Sequence, residues 1–106
     1  MTAQTQAPVV RDQTTAKPIL AVFRSQTSGR CERVAGFLAQ VLQRRRNHST
    51  FAVRQIAIEE RPDLFDRFSI EKVPTLVVIE DRRVRARLTN PRNSADIARF
   101  LSPWLK

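Results

Sequence analysis

The chain has 106 residues, 42% hydrophobic and 27% charged, with a formal net charge of +9. That is one domain's length, with enough apolar content for a core without metal staples, and its single cysteine excludes an internal disulfide. An apolar run of roughly 18 residues, the minimum for a membrane-spanning helix, is absent.

Most of the 19 basic residues are arginine. Such a balance suits nucleic acid, acidic proteins or anionic lipid. No dense basic cluster stands beside aromatic stacking residues, so a solvated surface is the expectation and nucleic-acid or membrane binding is not.

Residues 1–17 are polar and read as a flexible arm, with a weak strand signal at Pro8-Val9-Val10. They carry neither the basic start nor the apolar stretch of a secretory signal, so a cytoplasmic protein is expected. The domain is placed at residues 18–106. Pro18 to Phe23 is a continuous apolar run, the pattern of a strand covered on both faces. A polar loop follows. From Arg30 to Arg46 the pattern is helical, with Val34, Phe37, Leu38, Val41 and Leu42 forming one stripe. Cys31 precedes Val34 by three and belongs at the inner side of that stripe. Arg44, Arg45 and Arg46 suit the carbonyl end of the helix.

His48, the single histidine, falls in a turn, and one Cys with one His assembles no zinc set, so no metal is expected. Phe51 to Ile58 reads as a strand. Pro62 suits the first turn of a short helix whose apolar residues are Leu64, Phe65 and Phe68. Thr75 to Glu80 reads as a second buried strand, Asp81-Arg82 as a tight turn, and Arg83 to Thr89 as an edge strand. In that strand strict alternation puts Val84, Ala86 and Leu88 on one face and Arg83, Arg85 and Arg87 on the other. The arginines guard the edge against strand pairing or offer a docking face to an acidic partner. Asn93 or Ser94 caps a last helix, with Ile97, Phe100, Leu101 and Trp104 on its stripe.

This order, with its motifs, resembles the thioredoxin family over about residues 18–104. The fold it implies is α/β, a mixed sheet flanked by helices. Pro18 to Phe23 resembles the strand that leads into the active site. Ser28-Gly29-Arg30-Cys31 stands where the family carries Cys-Gly-Pro-Cys, and Val73-Pro74-Thr75-Leu76 resembles the loop whose proline bond is cis. The departures are specific. Ser28 replaces the attacking cysteine, Thr27 the preceding tryptophan, Arg30 the motif's proline, and Val22 a buried aspartate that helps move protons. Phe23, Ser25, Ser28 and Cys31 are also similar to the Phe-x-Ser-x-x-Ser-x-x-Cys stretch of the chaperedoxins, which hold unfolding clients. Chaperedoxins carry a helical-repeat domain for which this sequence has no counterpart.

Dithiol reduction needs an attacking thiolate and a second thiol that resolves the mixed disulfide. Ser28 cannot act as the first, and no adjacent His or Lys base is evident to activate its hydroxyl. Capping the helix suits it. Cys31 has two readings: a quiet buried residue, or a thiol that forms one mixed disulfide with a partner or glutathione. The resemblance further implies that Val73 pairs its backbone with an extended peptide, with Thr27, Pro74 and Thr75 lining the groove. The expected function is a protein- or peptide-binding module working through the Cys31 and Pro74 face, with no cofactor and without dithiol reductase activity. The alternatives are a monothiol redox protein and a holdase.

Overall fold

The computed structural model describes residues 17–43, 47 and 49–105. The readings made for the arm up to residue 16, for Arg44 to Arg46 and for His48 lie outside the described residues.

The elements run β1 (Ile19–Arg24), α1 (Gly29–Gln43), β2 (Ala52–Ala57), α2 (Pro62–Arg67), β3 (Thr75–Glu80), β4 (Arg83–Thr89) and α3 (Ser94–Leu101). The four strands form one sheet in the order β2-β1-β3-β4. β1 pairs parallel with β2, while β1 with β3 and β3 with β4 are antiparallel. A parallel pair needs a crossover connection, and α1 supplies it.

The apolar run at residues 18–23 follows from the position of β1 inside the sheet. Leu20 and Val22 face α1 and α3 in a core with Val34, Leu38, Leu76, Val78, Ile97 and Leu101. Ala21 and Phe23 face the other way, toward Phe65 of α2, with Val77 beside them. Phe23 packs edge-on against Phe65 with ring centroids 5.1 Å apart. Fully burying a side chain of this kind contributes about 1.5–3 kcal/mol.

Two sequence expectations need correction. β4 does not alternate strictly. Val78 pairs with Ala86 but Ile79 pairs with Val84, so the register shifts at this point and Arg85 is the extra residue of a bulge. Cross-strand partners share a face. Ala86 therefore lies on the α1/α3 side with Val78, while Val84 lies on the α2 side with Ile79 and is 42% exposed. The arginines are divided in the same way, Arg83 opposite Glu80 and Arg87 opposite Val77. The second correction concerns Trp104. α3 ends at Leu101, because Pro103 has no N–H to continue the ladder. Trp104 sits in the turn beyond, where its backbone N–H donates to the Leu101 carbonyl at 2.8 Å and its ring meets Phe51 edge-on at 6.2 Å.

The remaining local signals follow their chemistry. Asn93 caps α3 by accepting from the Asp96 N–H at 2.9 Å. Asp81 and Arg82 both take positive φ, 55° and 64°, as a two-residue hairpin turn demands. α1 starts at Gly29, one residue before its expected start.

Candidate functional site

The pairing registers bring four strand ends to one rim of the sheet. β1 and β2 are parallel, so Arg24 lies beside Ala57 where both strands finish. β3 runs the other way, which sets its first residue, Thr75, beside Phe23. Thr75 also pairs with Thr89, the last residue of β4. The loops after β1, β2 and β4 and the loop before β3 therefore meet at this rim, and α1 begins there.

The loop after β1 is held by an interlocking set of hydrogen bonds. The Ser25 hydroxyl donates to Glu59 Oε2 at 2.6 Å, and the Gln26 N–H donates to Oε1 of the same carboxylate at 3.1 Å. The single Ser25 hydroxyl proton is thereby committed. The Thr27 hydroxyl, 3.1 Å away, and the Thr27 N–H, at 3.3 Å, then both donate to Ser25 Oγ. Together the Ser25 hydroxyl, foremost, and the Gln26 amide hold the Glu59 carboxyl below its ordinary value of 4.5.

The four residues of the Ser-x-x-Cys motif divide into two roles. Ser28 Oγ accepts from the Cys31 N–H at 3.3 Å, the N-cap geometry at the third helical residue. Cys31 is 1% exposed and its Sγ accepts from the Ser25 N–H at 3.5 Å. Gly29 and Arg30 are exposed on the first turn. Val22 is 1% exposed in the core cluster and brings no titratable group.

Across the rim lies the loop before β3. The Val73–Pro74 bond is cis. Pro74 is buried, and its carbonyl accepts from the Asn90 N–H at 2.8 Å, which ties this loop to the one after β4. The Thr75 hydroxyl donates to the Lys72 carbonyl at 2.7 Å, fixing the turn from the other side. The backbone N–H and C=O of Val73 have no hydrogen-bond partner among the described residues.

Thr27, Ser28, Cys31, Val73, Pro74 and Thr75 thus come from loops and element ends that share one rim. Sequence reasoning missed Glu59, read only as a turn residue. The available signal was the strand-helix-strand order, since residues just past the ends of two adjacent parallel strands are neighbours. It also missed Asn90, Pro91 and Arg92, which the Thr75–Thr89 pairing brings to the same rim. Among the described residues no group of three or more His, Cys, Asp or Glu side chains could hold a metal ion, and no helix is long and apolar enough to cross a membrane.

The Thioredoxin family model matches residues 2–103, and the chain belongs to the thioredoxin family. A thioredoxin of Mycobacterium tuberculosis is 27% identical over 86 residues, which make up 81% of this chain and 72% of that protein. The bifunctional thioredoxin reductase/thioredoxin of Mycobacterium leprae is 26% identical over a stretch of the same length, and the chain spans only 18% of that larger protein. Among solved structures, the germline-specific thioredoxin Deadhead of Drosophila melanogaster superposes with a TM-score of 0.74 at 18% identity, covering 89% of this chain and 84% of that one. A mutant thioredoxin of Halobacterium salinarum gives 0.71 at 19% identity, covering 90% and 81%. These structural likenesses establish the fold.

Proposed function

We propose that this member of the thioredoxin family is a binding module for protein or peptide segments, without dithiol-disulfide reductase turnover. The observation that carries the reading is the state of Ser28. The residue in the attacking position is an oxygen, and that oxygen caps α1 by accepting from Cys31 N–H. The remaining sulfur is buried, so neither the first step of exchange nor a resolving partner is supplied by the chain. Recognition asks for less. Strand-like pairing with a peptide uses one N–H and one C=O, and Val73 has both without partners among the described residues. A cytoplasmic setting goes with this reading, because a reducing compartment keeps a lone thiol reduced.

The test is insulin disulfide reduction in the presence of NADPH and a thioredoxin reductase. The expected rate is that of the assay without this protein. Sustained turnover at the rate of an ordinary dithiol thioredoxin would overturn the reading.

A second reading, a monothiol that forms mixed disulfides through Cys31, draws on one contact. The Ser25 N–H points at Cys31 Sγ from 3.5 Å, so a polar group of the loop reaches the sulfur. Labelling native protein with a thiol probe separates the two. The binding-module reading expects labelling only after denaturant is added, and the monothiol reading expects it in buffer.

A further inference from the structure

Beside the Ser-x-x-Cys motif lies an open cleft of about 310 Å³, lined by Arg30, Arg33, Val34, Phe37 and the Asn90-Pro91-Arg92 segment. We propose that this cleft makes the module selective for acidic peptide segments, its arginines receiving carboxylates of a peptide whose backbone pairs with Val73. The inference rests on the binding-module reading and adds the chemical class of the partner.

Three observations carry it. The guanidinium groups of Arg30, Arg33 and Arg92 have no ion-pair or hydrogen-bond partner among the described residues, and no acidic side chain lines the cleft. Elsewhere two arginines meet acids, while Arg67, Arg82, Arg83, Arg85 and Arg87 have no ion pair among the described residues either, so what sets the cleft apart is that three such arginines line one concavity. Arg61 meets Asp63 at 2.9 Å and Arg99 meets Asp96 at 3.5 Å. Asp96, the nearest acid along the chain, takes the Arg92 backbone N–H at 3.0 Å and leaves the Arg92 side chain to the cleft. Second, the cleft is joined to the cis-proline loop by the Asn90 N–H to Pro74 carbonyl bond of 2.8 Å, so one extended ligand reaches both. Third, the floor of Val34, Phe37 and Pro91 is apolar, which suits aliphatic or aromatic side chains alternating with the acids of an extended strand. Planar guanidinium forks match carboxylates in pairs of hydrogen bonds. A single-stranded nucleic acid would also meet the positive charge. Its phosphates also accept from a backbone N–H, but it lacks the N–H and C=O of an extended peptide backbone that pair with both Val73 groups at once, and the peptide is favoured for that reason.

The test uses fluorescently labelled peptides of alternating Glu and Val, with Gln and Lys counterparts, read by anisotropy at low salt. The comparison protein is the triple variant R30Q/R33Q/R92Q, all exposed positions, its fold checked by thermal unfolding. Exposed charge pairs are individually weak, so the Glu peptide should bind wild type about tenfold more tightly than the Gln peptide, and the Lys peptide more weakly than either. The triple variant should erase the difference between the Glu and Gln peptides. Equal binding of Glu and Gln peptides by wild type would overturn the charge selectivity and leave the binding module standing. A Glu peptide N-methylated on alternate amides separates the other failure. If methylation costs nothing while the Glu advantage persists, pairing at Val73 is wrong and the arginine cleft acts alone. Binding of none of the peptides overturns both. A single-stranded oligonucleotide of matched charge that binds more tightly than the Glu peptide, and loses that binding in the triple variant, would overturn the inference in favour of nucleic acid.

Discussion

Two loops meet at the rim of the sheet, and they treat their polar groups differently. From Ser25 to Cys31 the polar groups that define the turn are satisfied inside the molecule: Ser25 and Gln26 through Glu59, Thr27 through Ser25, and Ser28 and Cys31 through each other. On the facing side Val73 offers an N–H and a C=O with no partner among the described residues, and the adjoining cleft offers three guanidinium groups in the same condition. The first loop is a closed circuit that holds α1 in place. The second, together with the Arg30 and Arg33 side chains of α1 and Arg92 after β4, holds the groups left for a ligand. On the binding-module reading proposed above, the first loop is scaffold rather than a site of thiol exchange.

That contrast can be broken from either side. The largest effect is expected beneath the rim. Phe23→Ala removes the ring that packs on Phe65 and Phe68 and should cost about 3–5 kcal/mol by chemical denaturation. Such a loss would take down both loops together, since β1 carries one and pairs with the strand that carries the other. Next comes the cap. Ser28→Ala leaves the Cys31 N–H without its side-chain acceptor and should cost about 1 kcal/mol. Ser28→Cys should restore a dithiol and bring insulin reduction above background, though short of an ordinary thioredoxin, because Val22 supplies no proton carrier. A loss near zero for Ser28→Ala would mean the serine is not scaffold.

A stabilising change of similar size is expected away from the rim. Arg82→Gly relieves a left-handed residue with a side chain, at φ 64°, and should raise stability by about 1 kcal/mol in thermal unfolding. The smallest effect is the pH response of the loop after β1. The Ser25 hydroxyl and the Gln26 amide hold the Glu59 carboxyl below 4.5 in the folded chain. A depressed carboxylate contributes stability that is complete above its unfolded value and is lost as pH falls through the folded one. Hydrogen exchange at the Gln26 amide should therefore show falling protection below that range, once the intrinsic pH dependence is removed. Glu59→Gln should give low protection with no such step.

Much of the frame was legible from local patterns. The continuous run at Pro18 to Phe23 announced a strand buried on both faces, and the stripe from Val34 to Leu42 announced the helix that crosses over it. Ser28, Cys31, Val73 and Pro74 could be placed from motif order. What the sequence did not disclose depends on register. Strict alternation in β4 suggested one face for Val84, Ala86 and Leu88, and the bulge at Arg85 moves Val84 to the other side. Bulges leave no mark in a short hydrophobic pattern. Glu59 and Asn90 were passed over because their roles come from strand pairing, which juxtaposes residues distant in the chain. Trp104 fell on the helical period, and Pro103 was the overlooked stop. The unpartnered arginines of the cleft were visible only as composition until the loop after β4 was located against α1.

The central claim is that recognition at this rim does not use sulfur. The most direct measurement is the affinity of the Glu-Val peptide for wild type and for Cys31→Ser, with the N-methylated peptide run alongside. Equal affinities for the two proteins, together with a marked loss on N-methylation, are the predicted result. Binding that vanishes with Cys31→Ser in a folded protein would contradict it, and binding that persists undiminished on N-methylation would remove Val73 from the account.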